Sequence, residues 1–148
     1  DRVLIHVPDP ERAVDEMVRV LKPGGRIVLS EPDMPGFWVA ANDYALTDTI
    51  ARAIAGSCAH PYLARDLYAL LRDRGMDEVD FVANTITSFE LAAAAKVLNF
   101  EAVLKLMVSK GMMSQEQAID WSNDILDRAR TGRFVAGLTI MIAHATKR

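Results

Sequence analysis

Cysteine is almost missing from this chain: Cys58 is the only one in 148 residues. A single thiol excludes an intrachain disulfide and a cysteine-based zinc set, and it fits a reducing cytoplasm. The three histidines, His6, His60 and His144, have no partners at metal-ligand spacing, so the sequence supports no metal site. No apolar run approaches the roughly 18 residues of a membrane span, and no charged-then-apolar leader opens the chain. An initiator Met is lacking, which places the expected native start upstream of Asp1. Neither sign of charge dominates. Lys and Arg number 17 against 20 Asp and Glu, and the net charge of -3 leaves no electrostatic footprint for nucleic acid or an anionic membrane. Repeats, low-complexity tracts and linkers are absent as well. What is present, 51% hydrophobic and 25% charged residues, is ordinary for one soluble globular domain with a real core. The expected partner is a small molecule or a protein.

The pattern along the chain alternates helices and strands. Asp9 is a good N-cap, Pro10 fits a first helical turn, and Ala13, Val14, Met17, Val18 and Leu21 recur on one helical face. Pro23-Gly24-Gly25 forbids continuation and supplies a sharp turn. Ile27-Val28-Leu29 then reads as a parallel strand covered on both faces, leaving through Ser30-Glu31-Pro32-Asp33. Leu46, Ile50, Ala53 and Ile54 mark a second helix, and Leu63, Leu67, Leu70 and Leu71 a third that stops at Gly75. Residues 78–87 predict a strand exposed on one side, and residues 89–109 a single long helix. Ser114 with Gln117 forms a capping-box pattern that opens a helix to about Arg130, with Ala118, Trp121, Ile125 and Ala129 inward. Residues 134–145 close the chain as a final strand, apolar enough to be central in its sheet.

The wording of residues 4–33, LIHVPDPERAVDEMVRVLKPGGRIVLSEPD, resembles one superfamily closely. An L-x-H-x-x-D-P pattern leads into a helix and an R-V-L-K-P-G-G-R turn, as in the segment after the fourth strand of class I methyltransferases dependent on S-adenosylmethionine. The terminal GRFVAGLTIMIAHATKR is similar to that superfamily's closing strand with its basic tail. The resemblance implies an α/β fold: the C-terminal part of a Rossmann-like domain, keeping the family's fifth, seventh and sixth strands with the seventh antiparallel in the centre. Residues 1–148 then form a single domain, with a helical insertion at about 89–130 before the last strand.

The departures from the family constrain function. Its glycine-rich loop after the first strand and the acidic residue that holds the cofactor ribose have no counterpart here, and Gly24-Gly25 precedes a strand where such a loop would follow one. The chain is therefore expected to bind S-adenosylmethionine weakly or not at all by itself. The family strand order also leaves residues 26–30 as an apolar sheet edge, which implies either a supplied N-terminal half or a homo-oligomer paired there.

Methyl transfer needs positioning above all, with a base only where the acceptor must lose a proton. Ligands of open α/β sheets sit beyond the carboxyl ends of strands. By resemblance, Asp1 and Arg2 match positions that line the cofactor's methionine moiety. His6 matches the family histidine and is either a site residue able to act as a base near neutrality or a residue that packs its loop. Glu31 and Asp33 leave the strand on the ligand side; Asp33 is the candidate base and Glu31 a candidate substrate contact, against the plainer account of a solvated acidic turn. Trp38 could close over an apolar acceptor or pack in a core. Arg65 could meet an anionic substrate or pair with a carboxylate. Two functions remain open: methyl transfer to a small apolar acceptor, this chain being the acceptor-side half, or a truncated, inactive methyltransferase-like module that self-associates or binds a partner.

Overall fold

The computed structural model describes residues 1–148, arranged as two compact units. The first unit contains Asp1–Met34, Cys58–Thr85 and Thr139–Arg148. Its opening helix α1, Pro10–Val20, starts where expected: the Asp9 carboxylate accepts the Arg12 N–H at 2.9 Å, satisfying one of the amides that a helix start leaves unpaired. At the other end the Lys147 ammonium donates to the carbonyls of Val18 and Leu21, each at 2.8 Å, where positive charge also suits the helix dipole. The turn that follows needs both its glycines. Gly24 has φ +75°, and a Cβ on Gly25 would sit 2.8 Å from the Lys22 carbonyl oxygen.

Strand β1, Arg26–Pro32, corrects one expectation. It is not covered on both faces. It runs antiparallel to β4, Ala136–Thr146, with Arg26 opposite Thr146 and Pro32 opposite Ile140. Ile27 and Leu29 are buried while Val28, between them, is 63% exposed. An unbroken Ile-Val-Leu run holds no alternation from which one-sided burial could be read.

Strand β3, Asp77–Ser88, pairs with β4 as well. Within the first unit, Glu78 meets Thr146, Asp80 meets His144 and Thr85 meets Thr139, so these strands also run antiparallel. The final strand is thus central between β1 and β3, as its apolar run predicts. Beneath the covered face, Val14, Leu67, Leu71 and Ala143 are fully enclosed, two of them on helix α3, Leu67–Asp73. A 3-10 turn at Leu63–Asp66 leads into α3.

The second unit contains Pro35–Ser57 and Ile86–Leu138. Strand β2, Trp38–Val39, pairs antiparallel with the start of β4, Trp38 opposite Gly137. Helix α2, Tyr44–Ala55, is capped by the Asp43 carboxylate on the Leu46 N–H. The long helix expected over 89–109 is two helices, α4 at Leu91–Leu98 and α5 at Phe100–Ser109. Asn99 breaks them with φ 50°, a left-handed conformation that asparagine tolerates better than branched residues and that no propensity sum over an apolar run registers. Helix α6, Gln115–Arg130, begins with both hydrogen bonds of the Ser114–Gln117 capping box. In the core, Phe100 packs between Phe37 and the edge of Trp121, and the Trp121 indole N–H donates to the Thr47 hydroxyl at 3.0 Å.

Candidate functional site

The exit of β1 gathers most of the residues singled out from sequence. Glu31 points inward and is 1% exposed, because it shares strand parity with Ile27 and Leu29 and therefore the covered face. Its Oε1 accepts the N–H groups of Val3 at 2.9 Å and Leu4 at 2.8 Å, while Oε2 is buried without a hydrogen-bond partner. The Arg2 N–H donates to the Ser30 carbonyl at 2.8 Å. Three successive backbone amides of the N-terminal segment are thereby tied to the strand exit, and Arg2 adopts φ 54° to reach it. Glu31 is not part of a solvated acidic turn; its buried carboxylate holds backbone.

Asp33 and Arg65 were separate candidates in the sequence and are one pair in the structure. Arg65 donates through Nε to Oδ1 at 2.8 Å and through its terminal nitrogen Nη2 to Oδ2 at 3.0 Å, a two-point contact that matches guanidinium to carboxylate. The hydrogen bond to Asp33 raises the Arg65 pKa further above its ordinary range. Asp33 is buried, whereas the Arg65 side chain is 49% exposed and lies over the Tyr62 ring at 5.3 Å. With both oxygens occupied, Asp33 positions a partly exposed cation; it does not stand open as a base.

His6 is exposed, and its imidazole makes no hydrogen bond within the chain. Asp1 and Arg2 are also exposed and pair with each other at 3.1 Å. His60 is the residue sequence reading passed over: its Nε2 bonds the Val7 carbonyl at 3.0 Å and its backbone N–H the Ile5 carbonyl, bracing the loop that carries His6. A lone loop histidine gives no sequence signal for such a brace. His144 meets Asp80 at 3.5 Å on the sheet, a structural position. No group of three or more His, Cys, Asp or Glu could hold a metal ion.

The second unit holds a cavity of about 550 Å³ formed by α4, α5 and α6. Leu91, Leu104, Val108, Ile119, Ile125 and Leu126 line it beside Phe100 and Trp121, and Lys105, Glu101 and Asn123 supply polar groups. This size and apolar lining suit a small organic ligand. Trp38, expected near an acceptor, sits in β2 with its indole over Gly137, where any added Cβ would overlap the ring.

Residues 1–29 match the family described as methyltransferase domain. Across 99% of its length the chain is 32% identical to an uncharacterized 37.1 kDa protein in transposon TN4556 of Streptomyces fradiae, covering 42% of that protein. Over 37 residues it is 51% identical to demethylmenaquinone methyltransferase of Desulfitobacterium hafniense (strain Y51), a match spanning 23% of this chain and 15% of that enzyme. The chain thus spans less than half the length of either relative. No helix is long and apolar enough to cross a membrane.

Proposed function

We propose that this chain, whose first 29 residues are those of a class I methyltransferase-like domain, serves methyl transfer to a small apolar acceptor held in the α4–α6 cavity. The cavity carries the reading: an apolar pocket with a few polar groups at its walls is what an acceptor of this class requires. The relative named demethylmenaquinone methyltransferase, matched over 37 residues, supports methyl transfer as the reaction class. Separately from the cavity, within the first unit, we assign recognition of polar groups to Arg65, whose partly exposed guanidinium is held by Asp33, and proton acceptance to exposed His6.

S-adenosylmethionine, which supplies an activated methyl group in this family, does not fit the residues of this chain alone. The amides of Arg2, Val3 and Leu4, the donors nearest the strand exit, are already engaged by Ser30 and Glu31. Gly24 and Gly25 lie in a helix-to-strand turn, with the Gly24 N–H on the Lys147 carbonyl. In the reading proposed, the 148 residues form the acceptor-side part of a Rossmann-like domain, and cofactor contacts come mainly from elsewhere in a longer protein.

Titration with the fluorophore 1-anilinonaphthalene-8-sulfonate tests the cavity, with Trp38→Phe present so that Trp121 reports alone. Saturable quenching of Trp121, lost in Ile119→Asp, is expected. Quenching that persists unchanged in Ile119→Asp removes the cavity as the acceptor site. Calorimetry with S-adenosylmethionine should show no binding to the chain by itself, and tight binding would refute the division of labour.

A further inference from the structure

The polar groups on the walls of the α4–α6 cavity differ in what they leave open to a ligand. Glu101 and Lys105 are exposed and bonded to each other at 2.6 Å, so neither stands as a free charge. The Trp121 indole N–H is committed to the Thr47 hydroxyl, and toward the cavity the ring offers only carbon surface. Ser122 is half-buried and donates its hydroxyl proton to the Ala118 carbonyl at 2.7 Å, the back-bond of a helical serine. Its Oγ is therefore an acceptor only. Asn123, next to it on α6, makes no hydrogen bond through its side chain within the chain and keeps both amide donors and its carbonyl oxygen. Gln115 is a second lining amide, but it stands about two turns earlier, roughly 10 Å along the helix axis.

We infer that the cavity selects an uncharged apolar ligand carrying a hydroxyl group, read by the Ser122 Oγ and the Asn123 side-chain amide. A hydroxyl donates one bond and accepts another, so it satisfies an acceptor-only oxygen and an adjacent amide donor together. A carbonyl accepts from Asn123 but leaves the Ser122 Oγ with nothing. A carboxylate or an ammonium finds no free counter-charge on these walls, and setting either against Leu104, Ile125 and Phe100 is costly. A ligand without a polar group leaves both side chains unserved, and a site built to hydrogen-bond a hydroxyl discriminates against the analogue that lacks it. The inference rests on the acceptor reading of this cavity and adds the acceptor's polar group to it.

Equilibrium dialysis of the 148-residue chain at neutral pH against 2-naphthol, and against 2-methylnaphthalene, which puts a methyl group where the hydroxyl was, gives the test. Circular dichroism establishes that each variant is folded. Both ligands should bind the native chain, and Ile119→Asp should weaken both. Ser122→Ala with Asn123→Leu should weaken 2-naphthol at least about fivefold, the worth of two lost hydrogen bonds, while 2-methylnaphthalene stays within about twofold of its native affinity or gains. A double variant that binds both ligands as the native chain does overturns the hydroxyl assignment and leaves the cavity as an acceptor site. So does a double variant that loses both ligands equally, because the two side chains then shape the cavity without reading the hydroxyl. If neither ligand binds the native chain, or Ile119→Asp binds both unchanged, the acceptor reading of the cavity falls and this inference falls with it.

Discussion

Replacing Glu31 with alanine removes the acceptor that ties the N-terminal segment to the β1 exit. The two amides it serves are unequal. Leu4 is 2% exposed, so its N–H loses a charge-assisted bond with no water in exchange, which costs about 1.5–3 kcal/mol. Val3 is 50% exposed and its N–H regains water, so that loss is about 0.5 kcal/mol. Against these stands a gain: the buried Oε2 has no partner, and deleting it returns a desolvation cost of about 1 kcal/mol or more. The net expectation is a destabilisation of about 1–2 kcal/mol in urea unfolding with an unchanged m value. Glu31→Gln keeps an oxygen for both amides but makes the bonds neutral and roughly half as strong, so it should cost less than about 1 kcal/mol. Hydrogen exchange gives the sharper readout. The Leu4 amide should exchange roughly 10- to 100-fold faster in Glu31→Ala, the equivalent of the bond lost, and close to the original rate in Glu31→Gln. An unchanged Leu4 rate in the alanine variant, or a glutamine variant as unstable as the alanine one, would refute the reasoning.

Further outcomes follow from other contacts. Arg65→Ala leaves the buried Asp33 carboxylate without its two-point partner and should cost about 1–2 kcal/mol, a figure discounted because the guanidinium is half-exposed. Arg65→Lys should recover less than half of that by urea unfolding, since an ammonium cannot make both bonds in one plane. Asn99→Ala should lower stability by about 1–2 kcal/mol at the left-handed break between α4 and α5, while Asn99→Gly should match or exceed the native chain in thermal unfolding. Gly137→Ala drives a methyl group into the Trp38 indole and should cost about 1–3 kcal/mol; in a Trp38→Ala background the same change should cost almost nothing, a coupling that a double-mutant cycle measures.

The candidate site divides cleanly by what a linear sequence can carry. Glu31 was legible in retrospect: counting by twos from Ile27 and Leu29 places it on the covered face, yet a carboxylate beside proline reads first as a solvated turn. The Asp33–Arg65 pair was not legible, because 32 residues separate its members and either could have had another partner. The same holds for His60, whose purpose is set by a carbonyl 53 residues earlier. The cavity appeared in the sequence only as apolar helix faces. Three helices whose exposed and buried sides are individually ordinary line it together, with Asn99 breaking α4 from α5.

By itself the sequence determined the features whose causes lie within a few residues. These are the Asp9 cap and the Ser114 capping box, the glycine turn before β1, the central apolar strand at the end, and the wording that marks the first 29 residues as methyltransferase-like. Caps and turns are short-range hydrogen-bond and steric matters, and so are written where they act. Tertiary structure alone decided which charges meet, which carboxylate holds backbone and which face of the sheet stays bare. Those outcomes depend on register between distant strands, where one residue of slippage would exchange the covered face for the open one.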